Sequence, residues 1–376
     1  MEADAFDSLT IKGLEIPNRF MRSATHDFSA DLSGATTDKS IAIYEMLGQA
    51  DIGLIVSGYA FVSSHGRAFA GQYGAHCDEM IPGLKRMAEA VHKSGGRVAL
   101  QIVHAGMQSP YMKGRHVPSL APSELKNDFI ETGEYPHREM SVEEIEGIVR
   151  DFGSTAVRAR EAGFDAVQLH GAHGYLMSQF FSPVTNRRTD IWGGTPENRR
   201  RFHVEVTKEV RRRLGSDFPV LIKFGVMDDE PGGATIAEGI DAAKAMIEAG
   251  MDAIEVSSGV AGGILQKRTG KDQKPYYRER AAALKYDVSV PVMVVGGIRD
   301  FDTAQDILGA GDADMLSMCR PFIREPGLIK RWLSGNRNPA KCISCNQCIR
   351  LLNSLEILDN YCWQEYRAEA ATSRER

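Results

Sequence analysis

Short apolar runs alternate along the chain with longer stretches whose apolar residues recur at helical spacing, and a repeated phrase marks the joins. Residues 161–169 read EAGFDAVQL and residues 248–256 read EAGMDAIEV; looser copies are GQADIGLIV from Gly48 and GAGDADMLSM from Gly309. In each tight copy Ala closes a helix, Gly supplies a left-handed C-cap and a Val/Ile/Leu run follows. Strands are therefore expected at about 20–25, 52–57, 97–103, 165–170, 219–224, 252–257, 291–295 and 314–318. Helical patterns lie between them, notably from Ser141, where Ser141 and Glu144 read as a capping box, and from Ile236.

Strands buried on both faces and alternating with helices mean a parallel sheet, and eight such units mean an α/β chain closed into a (β/α)8 TIM barrel. The opening SLTIKGLEIPNRF reads as a hairpin turning at Lys12 and Gly13 that plugs the barrel floor. Residues 105–140, 182–196 and 258–276 read as excursions after the third, fourth and sixth strands, on the rim where barrels build active sites. The expected division is a barrel over 1–335 and a cysteine-containing tail over 336–376 packed on or near it.

Composition narrows the partner. The 376 residues fit one barrel of the usual ~250 to 400 with insertions. Forty-five Lys and Arg against fifty Asp and Glu leave a net charge of -5, too mild to argue for nucleic acid or an anionic membrane. No apolar run approaches the ~20 residues of a membrane span, and the acidic start MEADAFDSLT is unlike a secretory leader. A cytoplasmic protein with a small-molecule partner is expected.

The fourth strand runs into His170-Gly-Ala-His173-Gly-Tyr175. If a helical turn follows, the two imidazoles stand on one side and can hold a carbonyl oxygen or anion, with a phenol beside them to deliver a proton. Capping or core histidines are the equal alternative. A zinc site would need a third protein ligand that this segment does not show.

The string HGAHGYLMSQFFSPVTNRRTDIWGGTPENRRRF from His170 resembles the signature of the Old Yellow Enzyme family of FMN-containing oxidoreductases. The resemblance extends through PNRFMRSATH, LQIVHAG, VLIKF, VVGGI and SMCRPFIREP to CISCNQC, and within the family it is nearest the branch of 2,4-dienoyl-CoA reductase, 2-enoate reductase and trimethylamine dehydrogenase. It implies that Ala24, Thr25 and His26 lie against the flavin, with His26 near its reactive edge, and that Gly58 and Tyr59 form another flavin wall. Gln101 would hydrogen-bond the pyrimidine edge, where an amide can both donate and accept. Lys223 would stand beside the ring as a cation, and Gly296, Gly297, Cys319 and Arg320 would cradle the FMN phosphate. His170 and His173 would hold the substrate oxygen and Tyr175 would protonate the alkene.

Cys342, Cys345, Cys348 and Cys362 form a four-thiolate set that the resemblance associates with a [4Fe-4S] cluster; a structural zinc and idle thiols are the other readings. No G-x-G-x-x-G fingerprint follows a strand, so NADH or NADPH must dock over FMN, or a separate redox protein must deliver electrons. The first functional reading is an ene-reductase acting on an enone or enoate. The alternatives are an amine dehydrogenase, with Tyr59, Phe61, Tyr276 and Tyr277 as cage residues, a flavin/iron-sulfur electron-transfer module, and on fold alone an aldolase-like phosphate-binding barrel. The substrate pocket is expected from loops 105–140 and 258–276, and the oligomeric state, a homo-oligomer included, stays open.

Overall fold

A computed structural model describes residues 3–125, 136–260, 274–348 and 362–367. Eight strands, β1 (Phe20–Arg22), β2 (Leu54–Val56), β3 (Val98–Val103), β4 (Ala166–Gly171), β5 (Val220–Gly225), β6 (Ala253–Ser257), β7 (Val292–Val295) and β8 (Met315–Met318), pair in parallel in chain order. The last pairs with the first, so the sheet is a closed TIM barrel. Helices α1 (Asp38–Gly48), α2 (Ile81–His92), α3 (Val142–Glu161), α4 (Pro196–Leu214), α5 (Ile236–Glu248), α6 (Arg278–Asp287) and α7 (Phe301–Gly309) connect successive strands; short helices Arg320–Arg324 and Leu328–Leu333 follow β8.

The repeated phrase has a structural reason. Gly163, Gly250 and Gly311 end their helices at φ of +85°, +107° and +72°. An Asp two residues after Gly163 and Gly250, and three after Gly311, then stitches two strands together. Asp165, just before β4, donates its N–H to the Val98 carbonyl (2.9 Å) and accepts the Val98 N–H on Oδ2 (2.7 Å). Asp252 does the same with Val220 at 2.9 Å in both bonds, and Asp314 with Val292 at 2.7 and 2.8 Å. The first backbone groups of β3, β5 and β7, which would otherwise be orphaned at the barrel floor, are thus satisfied. The capping box expected at Ser141 and Glu144 is present on α3, and α1 and α5 carry further ones at Thr37 with Ser40 and at Thr235 with Glu238.

Side chains on the outer faces of the strands, such as Leu100, Leu169, Ile222, Phe224, Ile254 and Leu316, pack with the helices in one large core. A second cluster fills the floor inside the barrel: Met21, Leu54, Val56, Ala99, Ala166, Leu221, Ala253, Met293 and Met315. The N-terminal hairpin, Leu9–Ile11 against Leu14–Ile16, turns at Lys12 (φ +48°) and Gly13 (φ +83°) and presses Ile11 and Ile16 onto this cluster. The expected plug is therefore in place.

A short helix, Leu176–Phe181, precedes the 182–196 excursion. That excursion is braced rather than loose: Arg188 donates to the carbonyls of Pro122 (3.0 Å) and Met140 (2.8 Å), tying it to the 105–140 segment. Within the other expected features, residues 126–135, 261–273, 349–361 and 368–376 lie outside the described residues. Among the described residues no helix is long and apolar enough to cross a membrane.

Candidate active site

Above the apolar floor the inward positions change character at the next step of two. Where Met21, Ala99, Ala166, Leu221, Ala253 and Met315 point inward, the residues two further on are Ser23, Gln101, Gln168, Lys223, Glu255 and Ser317. All six are buried. They form one hydrogen-bonded row: Gln101 Nε2 donates to Gln168 Oε1 (2.7 Å), and Gln168 Nε2 donates to Glu255 Oε2 (2.9 Å). Glu255 Oε1 accepts from Lys223 Nζ (2.9 Å), Ser23 Oγ (2.7 Å) and Ser317 Oγ (2.6 Å). Burial alone would raise the Glu255 carboxyl, but the Lys223 charge and these donors hold it below its ordinary value. Lys223 is thus buried, as its place after an apolar run requires, and already paired.

The row ends in an unmet group. Gln101 Oε1 is buried and has no partner, an expensive state for an amide carbonyl unless a ligand supplies a donor. The imide N–H of a flavin is such a donor, so the residue fits the role expected of it.

At the top of β4, His173 sits at φ +61° and Gly174 at +72°, so the chain leaves the strand through a left-handed turn. The helical turn that would set the two imidazoles three residues apart on one face is not the conformation formed here. The strand continues to Gly171, and the reversal needed to start helix Leu176–Phe181 is made by positive φ angles. The two histidine rings are neighbours, with centroids 5.2 Å apart and planes at 85°. His173 Nε2 meets Ser257 Oγ at 2.7 Å. His170 Nδ1 accepts the Ala172 N–H (3.3 Å), which assigns its proton to Nε2 as a donor. Burial first, then His173 and Lys223, push its pKa well below the usual histidine value, so the ring is neutral.

The Tyr175 ring lies 4.9 Å from His170 and its hydroxyl donates to Tyr59 Oη (3.2 Å). Burial raises the Tyr175 pKa, although the Tyr59 contact works against this, and the phenol keeps its proton. Tyr59 extends the aromatic chain to His26 (4.9 Å), which packs on Phe28 (3.6 Å). Both His26 ring nitrogens are buried without a partner. Beside Tyr59, Gly58 donates its N–H to Tyr44 Oη (2.7 Å), and a Cβ there would meet the Thr25 carbonyl at 3.0 Å. Thr25 in turn joins the first and last strands through Cys319 Sγ (3.0 Å), and Ala24 packs on the floor cluster.

Beyond Ser317 the row opens into a cavity of about 60 Å³ lined by Gly296, Gly297, Cys319 and Arg320, with Tyr276, Arg299 and Ser344. Gly296 and Gly297 have φ of +98° and +82°, and a Cβ on either would come within 2.3 Å of Tyr276 or the Lys274 carbonyl. Bare backbone beside two arginines suits a phosphate monoester. The four tail cysteines line an adjoining cavity together with Arg320. The Ser344 N–H points at Cys342 Sγ (3.4 Å) and Gln364 Nε2 at Cys345 Sγ (3.6 Å). Burial, then the neighbouring Cys319, pushes the Cys348 thiol up to about 12. Among the described residues no group of three or more His, Cys, Asp or Glu converges as ligands of a single metal ion.

The aromatic residues considered as an amine cage are not gathered. Phe61 and Tyr277 are core residues, Tyr276 lines the phosphate-sized cavity, and only Tyr59 stands at the histidines. Gln168, Glu255, Ser23, Ser317 and Ser257 escaped the sequence reading. Their signal was present as period-two polar positions inside runs read only as apolar.

Burial lowers the pKa of His26, His104 and His203 from 6.5 to about 3 each. The unfolded chain protonates these rings near 6.5 and the folded chain only near 3, so the unfolded state binds more protons throughout that window. Stability therefore falls as pH drops from about 6.5. His203 has both ring nitrogens unpartnered between Phe181 and Phe224, and His203→Leu should flatten part of the slope of melting temperature against pH. An unchanged slope would refute its share.

Residues 4–338 match the NADH:flavin oxidoreductase / NADH oxidase family. The chain is 35% identical over 347 residues to an NADH oxidase of Thermoanaerobacter brockii, covering 91% of this chain and 52% of that protein. It is 33% identical over 327 residues to an NADPH dehydrogenase of a Geobacillus species, covering 87% of this chain and 92% of that one. A solved structure of 2-naphthoyl-CoA reductase with 2-naphthoyl-CoA superposes with a TM-score of 0.85 at 26% identity, covering 92% of this chain and 55% of that one. The chain thus spans about half the length of the first and third of these relatives.

Proposed function

Because the chain belongs to the NADH:flavin oxidoreductase / NADH oxidase family, we propose that it is an FMN-dependent, NAD(P)H-driven ene-reductase for α,β-unsaturated carbonyl compounds. The observation that carries this reading is the apposition of a neutral imidazole donor, His170, and a protonated phenol, Tyr175, at 4.9 Å. Bound FMN would supply hydride-transfer chemistry between NADH or NADPH and the alkene β-carbon.

The chain's own residues do the rest. Gln101 would offer its unpartnered Oε1 to the flavin pyrimidine edge, Gly58 and Tyr59 would form a wall, and Gly296, Gly297, Cys319 and Arg320, which line one cavity, would hold the phosphate. Thr25 would close the side at β1, with His26 and its aromatic neighbours beyond it, while Ala24 packs on the floor cluster below. The Lys223–Glu255 pair holds a cation at the row's centre. His170 Nε2 and the His173 ring hold the substrate carbonyl oxygen, polarising the alkene and stabilising the developing enolate charge. The Tyr175 hydroxyl delivers the proton to the α-carbon, with Tyr59 fixing its orientation.

Cys342, Cys345, Cys348 and Cys362, which share one cavity, would hold a [4Fe-4S] cluster giving one-electron transfer. The barrel over 1–335 and the tail over 336–376 would then act as one redox unit in the cytoplasm. Steady-state consumption of NADH or NADPH with 2-cyclohexenone, and no added protein, tests the reading. One saturated ketone per nucleotide is expected. Electron flow only to a partner protein would remove the ene-reductase assignment in favour of an electron-transfer module.

A further inference from the structure

The cysteine segment and the phosphate-sized cavity are parts of one construction. Ser344, which belongs to the segment, lines the cavity beside Gly296 and Gly297 and is itself buried. Two arginines of the cavity wall fasten it there. Arg299 Nε donates to the Cys342 carbonyl (2.7 Å), its Nη2 to the Ala340 carbonyl (3.2 Å), and its own carbonyl accepts the Ala340 N–H (2.7 Å). Arg320 Nη1 donates to the Ser344 carbonyl (3.4 Å) and to Asn346 Oδ1. Arg320 also lines the cavity of the four cysteines, so a single guanidinium stands between the two sites. Ser344 and Asn346 hold φ of +52° and +56°, conformations that persist only where surrounding contacts fix them.

From this geometry we propose that the cysteine segment is the closing wall of the phosphate site, so that its folding sets how tightly a flavin phosphate is held. The proposal rests on the FMN reading above. A guanidinium serves a phosphate best when its plane is already oriented, and here carbonyl and amide oxygens of the segment act as orienting acceptors. By linkage, any change that reorganises the four thiols is felt at the phosphate, and phosphate binding steadies the cysteine segment to the same extent. Asn346 acts through Arg320 and is a positioning residue.

The test compares the full-length protein, freed of flavin, with its Asn346→Gly variant. Glycine removes the amide without opposing the positive φ. Each is titrated with FMN and with riboflavin, which lacks the phosphate, following quenching of flavin fluorescence. The wild type is expected to prefer FMN, and the variant to lose about tenfold in FMN affinity, the size of an ordinary coupling, with riboflavin affinity unchanged. Unchanged FMN affinity in the variant, with the wild-type preference intact, would overturn the closing wall alone. Equal weakening toward both flavins would also overturn it, because the loss would then be general rather than at the phosphate. A wild type that does not prefer FMN would remove the phosphate site, and this proposal with it.

Discussion

Tyr175→Phe is expected to slow alkene reduction by about 10²- to 10⁴-fold, the usual worth of a positioned general acid, while leaving flavin reduction by NADH or NADPH nearly unchanged. The Tyr175 ring packs on His170, on the Tyr59 ring and on the apolar cluster of Ala68, Val103 and Ala105, and the hydrogen bond to the Tyr59 hydroxyl is lost with the oxygen. The ring remains to pack, so the fold and the nucleotide step should persist. Rapid-mixing measurements of the two half-reactions separate the outcomes. Equal loss in both would contradict the proton-donor role, because a group that acts on substrate alone cannot slow the earlier step.

Glu255→Leu should destabilise the protein by about 3–5 kcal/mol, the cost of leaving a buried charge without its counterion. It strips Lys223 of its counterion and leaves the Ser23, Ser317 and Gln168 donors without the Glu255 acceptor, all inside the barrel. The double substitution Glu255→Leu with Lys223→Met should recover most of that loss, since an apolar pair of similar volume avoids burying either charge. Denaturant midpoints of the single and double variants test this; a double variant as unstable as the sum of the singles would show that the pair is not coupled. The pH dependence has the opposite cause to that of the histidines but the same direction. A carboxyl held low in the fold contributes stability above its unfolded pKa of about 4.5, and that contribution is lost as pH falls through the lower folded value.

The fold was legible because the barrel repeats its own instructions. The EAG-x-DA phrase encodes a helix end, a left-handed glycine and a strand start, and its Asp proves to be the side chain that ties the next strand pair together. The hairpin plug could be read from Lys12 and Gly13 because a two-residue turn demands positive φ. The polar row was harder. Gln168 and Glu255 sit in runs such as DAVQL and DAIEV, where a lone polar residue looks like noise in an apolar strand; only the step of two shared by neighbouring strands shows that they face one another.

The turn at His173 could not be read from spacing either. His-x2-His describes equally a helical face and a left-handed corner, and the choice is made by the Ser257 and Ser258 contacts from a strand over eighty residues away. Nor does the sequence reveal that the cysteine segment reaches the phosphate cavity. That depends on where Arg299 and Arg320, on two different strand ends, direct their side chains.

The most direct test of the account is the visible absorption spectrum of the purified protein under anaerobic conditions, first with NADH or NADPH and then with an enone. Flavin bands that the nucleotide bleaches and the enone restores are expected. A colourless protein, or a bleached flavin that the enone leaves bleached, would contradict it.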